Sequence, residues 1–398
     1  MKKWTRLGAI GVAVLASAVW AGTAGASPGS TATSSAQAQT YVANCGQSAP
    51  RGQARCFAVH RSHSVQPAAA AAAPSGYGPS DLQSAYNLPA GGSGQTVAIV
   101  DAQDDPNAES DLAAYRAQYG LPACTTANGC FTKLNQSGQQ GSYPAPDAGW
   151  AGEISLDLDM VSATCPGCHI DLVEADSASF ADLGAAENTA ASKTDIVSNS
   201  YGGSDASDAQ FGQYYNHPGV AITASAGDSG YVGASYPASS SSVIAVGGTA
   251  LTRDSSSRGW SETVWNNSSG GTGSGCSAYN AAISGAASFN TGCSKRAMND
   301  VSAVADPETG VAVYDTYQAP GWQVYGGTSA SAPIIAGVIG LAGNASSVTP
   351  STPYSNAGEL FDVTSGSNGS CSPSQLCTAR AGWDGPTGLG TPNGVGAF

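Results

Sequence analysis

The chain has 398 residues, a formal net charge of −14 and only 11% charged residues. That length allows one large or two medium domains. Such an acidic balance argues against nucleic acid and anionic membranes as partners, and the shortage of basic groups suits an acidic working medium, where positive self-repulsion stays small.

In chain order, residues 1–26 have the form of a secretory signal. Lys2, Lys3 and Arg6 make a basic head, residues 7–20 are apolar but short for a membrane span, and Ala24-Gly25-Ala26 offers a cleavage site. A secreted, extracellular protein is expected. Residues 27–76 are rich in Ser, Ala, Gln and Pro and too poor in large apolar groups for a core of their own, so they are expected to be a short pro-segment or linker. Cleavage is expected between its alanine tract and Tyr77. Residues 77–398 then form the main domain. A helical opening at residues 81–86 leads to a strand at residues 96–100. Further apolar runs at residues 170–173, 196–198, 220–223 and 243–246 alternate with helix-like segments at 109–119 and 179–191. Short buried strands alternating with helices indicate an α/β domain with a mostly parallel sheet, whose ligands sit at the carboxyl ends of the strands.

Export makes the ten cysteines legible as disulfides, and neighbour pairing is the simplest connectivity: Cys45/Cys56, Cys124/Cys130, Cys165/Cys168, Cys276/Cys293 and Cys371/Cys377. Cys165 and Cys168 have the spacing of half a zinc or redox site, but no second pair complements them.

The strongest chemical signal runs from Tyr325 through Gly326, Gly327 and Thr328 to Ser329, followed by an apolar helix. Two glycines allow close backbone approach, and a serine at a helix N-terminus lies where unpaired N–H groups stabilise an oxyanion. An ordinary helix cap has the same form. A serine nucleophile needs a base. Of four histidines, His60 and His63 fall in the expected pro-segment, His169 in an apolar run and His217 before Pro218, so a histidine base is not evident. Asp101, after the first strand, is expected to be a strand-end turn residue near the site. Glu153 and Asp157 stand four apart and share one helix face, with Ile154, Leu158 and Val161 as the opposite buried stripe. Two carboxyls held close share a proton at acid pH, and can take a proton from serine and return it to a leaving amine. A solvated acidic helix face would have the same spacing. Asp159 lies off that face. Asp228, between Gly227 and Ser229 after a strand, is either a turn residue or, when protonated, a donor to an oxyanion.

In order along the chain, these segments and three more (from Tyr236, Val246 and Asp300) resemble the sedolisins, the serine-carboxyl peptidases. The resemblance runs over residues 77–398. It implies a subtilisin-like fold, a mostly parallel sheet with helices on both faces. It further implies an endopeptidase acting on proteins and peptides in acid through an acyl-enzyme on Ser329. Glu153 would be the base, Asp157 would orient it, and Asp228 would be the protonated oxyanion donor. It also implies one structural calcium ion, held by Asp362 and Asp384 with the carbonyls of Val363, Arg380 and Gly382, an oxygen-only shell. Family members often carry glycine where Arg380 stands, and a long folded pro-domain where this chain has about fifty residues. A catalytically dead extracellular binding module of the same fold is the reading from another class, and a neutral subtilisin-type hydrolase lacks its histidine motif. A monomer is the default expectation.

Overall fold

The apolar runs gather into one sheet whose two faces are both covered. The computed structural model describes residues 1, 40–62, 74–92 and 94–398. The expected signal and alanine tract lie outside these residues. Residues 39–398 form a single compact unit, and the description below is of that unit.

The strands are β1 (Tyr41–Ala43), β2 (Arg55–Cys56), β3 (Val59–Arg61), β4 (Thr96–Ala102), β5 (Phe131–Asn135), β6 (His169–Ala175), β7 (Ile196–Asn199), β8 (Tyr201–Ser204) and β9 (Ala221–Ser225). They continue with β10 (Ser229–Tyr231), β11 (Ser235–Tyr236), β12 (Ile244–Arg253), β13 (Trp260–Val264), β14 (Asn266–Asn267), β15 (Gly270–Ser274), β16 (Val301–Val304), β17 (Val311–Asp315) and β18 (Gly321–Gly326). The helices used here are α1 (Pro79–Ala85), α2 (Ala108–Gln118), α3 (Ala148–Thr164), α4 (Phe180–Ala191), α5 (Asp208–Phe211) and α6 (Thr328–Ala342).

The main sheet has eight strands in the order β5-β6-β4-β7-β9-β12-β13, with β16 also on β12. All pairings are parallel except β12 with β13. Alternation along β4 shows why its run is apolar throughout. Val97 and Ile99 join one core with Leu158 and Val161 of α3 and Ile335 and Val338 of α6. Ala98 and Val100 point the other way, into a core with Phe180, Leu183 and Ala186 of α4. The subtilisin-like α/β architecture expected from the sequence is therefore the observed one, with helices on both faces.

Helix α3 starts at Asp147, whose carboxylate accepts from the N–H groups of Gly149 and Trp150 (2.9 and 3.0 Å). It is buried on every side from Trp150 to Thr164. The two-sided reading, with a buried stripe opposite an acidic face, gives way to a central helix packed on α6, on β4 and on β17 at once. Its carboxylates therefore face protein. Helix α6 begins after Gly327, at φ 92°, and places Ser329 in its first turn.

The segment around residues 40–62, polar in composition, is built into this unit. Strand β3 pairs antiparallel with β18, β1 covers β3, and β2 pairs antiparallel with β8. All five neighbour disulfides are formed, and no cysteine is free among the described residues.

Candidate active site

The carboxyl ends of β4, β7 and β9 converge beneath the start of α6. From there the chain presents Asp101 in β4, Ser200 just after β7 and Asp228 just after β9, with Glu153 and Asp157 reaching in from α3. Ser329, Glu153, Asp157 and Asp101 are each fully buried. The four catalytic positions expected from sequence are thus brought together.

The Ser329 hydroxyl donates to the carbonyl oxygen of Ser200 (3.1 Å) and accepts from the N–H of Phe57 (3.1 Å). Glu153 Oε2 accepts from the N–H of Ala58 (2.8 Å), and Oε1 has no partner. Asp157 Oδ1 accepts from the Ser200 hydroxyl (2.7 Å), and its Oδ2 has no partner. Pro333 sits inside α6 and has no N–H to close a bond to the Ser329 carbonyl four residues back; that carbonyl faces the Ser200 hydroxyl instead (3.3 Å). Asp228 Oδ1 accepts from the N–H and hydroxyl of Thr328 (2.8 and 2.9 Å), which fixes the carboxyl and leaves Oδ2 unpartnered. No histidine ring bonds Ser329 among the described residues; His60 Nδ1 meets Asn44 Oδ1 and His217 Nε2 meets the Tyr214 carbonyl.

Burial raises every acid in this cluster. Glu153 is pushed up to about 8, chiefly by burial, while the Ser329 hydroxyl and the Ala58 and Phe57 N–H groups pull it down. Asp157 is raised well above the usual range by burial and then by Glu153. Asp228 is pushed up to about 6 by burial, and Arg55 is the largest influence holding it down. Asp101 is more than a turn residue. It is fully buried with both oxygens unpartnered, and raised by burial and then by Asp157 and Glu153, so the pair is part of a chain of carboxyls.

Sequence reasoning missed two participants. Ser200 could have been found as the small polar residue directly after a buried strand, at the edge where ligands bind. Phe57 left no such signal. Asp159, left out of the chemistry, faces away and accepts from the N–H of Tyr314 (3.0 Å).

At the C-terminal loop, Asp362 Oδ2 accepts from the N–H of Gly382 (2.8 Å) and Asp384 Oδ2 from the N–H of Arg380 (3.1 Å). Asp384 is pushed up to about 7 by burial, and Asp362 nearby raises it further. The Arg380 side chain turns to the Trp383 carbonyl (3.1 Å). Two carboxylates held close in a loop of carbonyls, with that guanidinium directed elsewhere, are a donor set that fits a hard cation.

A sequence profile of the subtilase family matches residues 151–356. Kumamolisin of Bacillus sp. (strain MN-32) is 32% identical over 359 residues, which is 81% of this chain and 63% of that relative. Sedolisin of Pseudomonas sp. (strain 101) is 36% identical over 171 residues, 39% of this chain and 28% of that one. The chain therefore spans less than two thirds of the length of either curated relative. Among solved structures, Pseudomonas sedolisin, a serine-carboxyl proteinase complexed with two molecules of pseudo-iodotyrostatin, superposes with a TM-score of 0.66 at 25% identity, over 81% of this chain and 96% of that one. Sphericase, at 18% identity and a TM-score of 0.50, shares the fold.

Proposed function

Because the chain belongs to the subtilase family, within its sedolisin branch, we propose that it is a secreted endopeptidase that hydrolyses peptide bonds in acid through an acyl-enzyme on Ser329. The observation that carries this reading is the convergence of Ser329, Glu153, Asp157 and the part-buried Asp228 in one site where, among the described residues, no histidine reaches the serine.

Ser329 Oγ attacks the substrate carbonyl and gives its proton to Glu153. Asp157, whose Oδ1 is fixed by Ser200, holds Glu153 and shares its proton. The developing oxyanion meets Asp228 Oδ2, which donates only when protonated, and the start of α6 adds unpaired N–H groups. Glu153 then returns the proton to the leaving amine, and water hydrolyses the ester by the reverse route. The reacting form has Glu153 ionised and Asp228 protonated. Burial raises Glu153 more than Asp228, so this is the less populated proton arrangement while Arg55 faces Asp228. The Ser329 hydroxyl and the Ala58 and Phe57 N–H groups favour ionised Glu153.

Asp362 and Asp384, with the carbonyls of Val363, Arg380 and Gly382, would hold a structural calcium ion. The ion would offset the repulsion between the two carboxylates and pin the loop.

The test is cleavage of an unfolded protein from about pH 3 to about pH 8, comparing the enzyme with Ser329→Ala. Acid-side activity absent from the variant supports the mechanism. A maximum near neutrality overturns the carboxyl assignment, and inactivity throughout moves the binding-module reading to the front.

A further inference from the structure

On β4 and β6, the face of the main sheet that packs on α3 is apolar until its carboxyl end, where it turns acidic. Val97 and Ile99 of β4 and Ile170 and Leu172 of β6 line that face. Two residues on, alternation puts Asp101 and Glu174 on the same face, and the two are register partners in the parallel β4–β6 pair. Strand β5 adds Lys133, the register partner of Leu172, to that side. Neither acid is a solvated strand end, for both are fully buried.

These acids keep bare oxygens. Glu174 Oε1 lies 3.1 Å from Lys133 Nζ and accepts from the Asp105 N–H (3.1 Å), while Oε2 has no partner among the described residues. Both oxygens of Asp101 are equally bare, as are Asp157 Oδ2 and Glu153 Oε1. Asp101 is raised by burial, then by Asp157, Glu153 and Glu174, so it stands between the active-site pair and Glu174. Burial pushes Glu174 up to about 8, against the pull of Lys133. In acid, therefore, Glu174, Asp101 and Asp157 carry protons, and a protonated carboxyl donates as well as accepts. The ends of the series differ. Lys133 only donates; its ammonium also meets the Asp104 carboxylate and the Asp105 carbonyl (2.7 Å), and both side chains are 12% exposed. Glu153 takes the Ala58 N–H (2.8 Å) and, when ionised, can only accept.

We propose that Lys133 and Glu174 are positioning residues for the peptidase reaction. They close the outer end of a one-way hydrogen-bond chain, from Glu174 to Asp101 to Asp157 to Glu153, that leaves the negative charge on the acid nearest the serine. The proposal rests on the peptidase reading above. With the Lys133 ammonium beside Oε1, the Glu174 proton sits on Oε2 and points to Asp101. Asp101 then donates to Asp157, and Asp157 to Glu153. Bonds aligned in one direction polarise and strengthen one another. The opposite direction would put a proton on Glu153 pointing away from Ser329 and leave no base. Only the serine proton is transferred, to Glu153 and on to the leaving amine; the protons of the chain stay on their own acids. Lys133 and Glu174 act through Asp101 and need no contact with substrate.

The test measures kcat, KM and Tm in acid on an added peptide. Glu174→Leu removes the donor with a side chain of similar volume, and should lower kcat about 10-fold with KM within about twofold and Tm level or higher. Glu174→Gln keeps an amide donor toward Asp101 and an acceptor for the Asp105 N–H, and should hold kcat within about threefold of wild type. Lys133→Met reads the same chain from its outer end and should lower kcat about threefold or more, which decides the matter should Glu174→Leu not fold. In an Asp101→Leu background the chain is already cut, so adding either Glu174→Leu or Lys133→Met should change kcat less than about twofold. An unchanged kcat in Glu174→Leu and Lys133→Met overturns the inference. So does an equal loss in Glu174→Gln and Glu174→Leu, a loss of kcat that tracks a loss of Tm, or a full cost in the Asp101→Leu background. Each of those results leaves the peptidase reading standing while wild type cleaves and Ser329→Ala does not. A wild type inactive at every pH overturns the peptidase reading together with the inference.

Discussion

Glu187→Gln should stabilise the protein at neutral pH and leave it nearly unchanged in acid. Glu187 lies in α4 and takes no part in the mechanism. It is fully buried, and neither carboxyl oxygen has a hydrogen-bond partner. Burial pushes its carboxyl from 4.5 to about 8, against a smaller opposing effect of Asn199. The folded chain therefore keeps a proton that the unfolded chain releases near pH 4.5. Between those values the folded state binds more protons, so stability is fully present below about pH 4.5 and is lost as pH rises toward 8. At about pH 7.5 the group is three units above its ordinary value. At about 1.4 kcal/mol per unit, holding it neutral costs about 4 kcal/mol. Glutamine removes that cost but keeps an unpartnered amide, so the expected gain is about 2–4 kcal/mol at pH 7.5 and under about 1 kcal/mol at pH 4. Denaturant unfolding at both pH values measures it, in a Ser329→Ala background so that self-digestion does not drain the unfolded chain. An equal effect at the two pH values, or destabilisation at pH 7.5, refutes the argument that burial alone sets this proton.

Glu153→Gln and Asp157→Asn should each lower kcat about 10³- to 10⁴-fold with KM little changed, read on an added peptide; a rate near wild type removes the residue from the mechanism. Asp228 is needed protonated and is raised to about 6, so activity should fall as pH rises through about 6. Asp228→Asn keeps a donor at every pH, and its slower rate should fall less above that point. A chelator should lower Tm, and Asp362→Ala should abolish the chelator's effect; an unchanged melting curve in excess chelator speaks against the calcium site.

Much of the fold was legible because its strands are buried on both faces and carry unbroken apolar runs. The strands read at residues 96–100, 170–173 and 196–198 fall within β4, β6 and β7. Ser329 in the first turn of α6 followed from two glycines before an apolar run, and the Glu153–Asp157 spacing held once α3 formed. What the spacing could not give was the environment of that helix. Its carboxylates have the polarity of a surface face, and only the packing of β17 and α6 around it makes them interior. Residues 40–62 were illegible for another reason. Their strands are two or three residues long, and β3 and β2 find their partners on β18 and β8, hundreds of residues later in the first case. No local period encodes such a pairing. The role of Asp101 was hidden likewise, since its neighbours Glu153 and Asp157 come from a different element.

At Arg296 the fold supplies a buried charge with a counter-charge. The Arg296 guanidinium, itself buried, donates to both oxygens of Asp300 (2.8 and 2.5 Å). Around Glu153, Asp157 and Asp101 the dominant influence is burial with further acids, although Arg55 also attracts Glu153. That arrangement holds protons, which is what a proton-sharing pair needs, and it also makes the native state cheapest in acid. Asp228 is the exception, because it faces Arg55 as well as the N–H and hydroxyl of Thr328. Thr328 belongs to the site, but Arg55 belongs to the segment upstream of Phe57. Replacing Arg55 by alanine would remove the cation that holds Asp228 down and leave its carboxyl protonated to higher pH. Arg55 therefore disfavours the proton that the proposed oxyanion donor requires, and the pH at which activity falls should move up in Arg55→Ala.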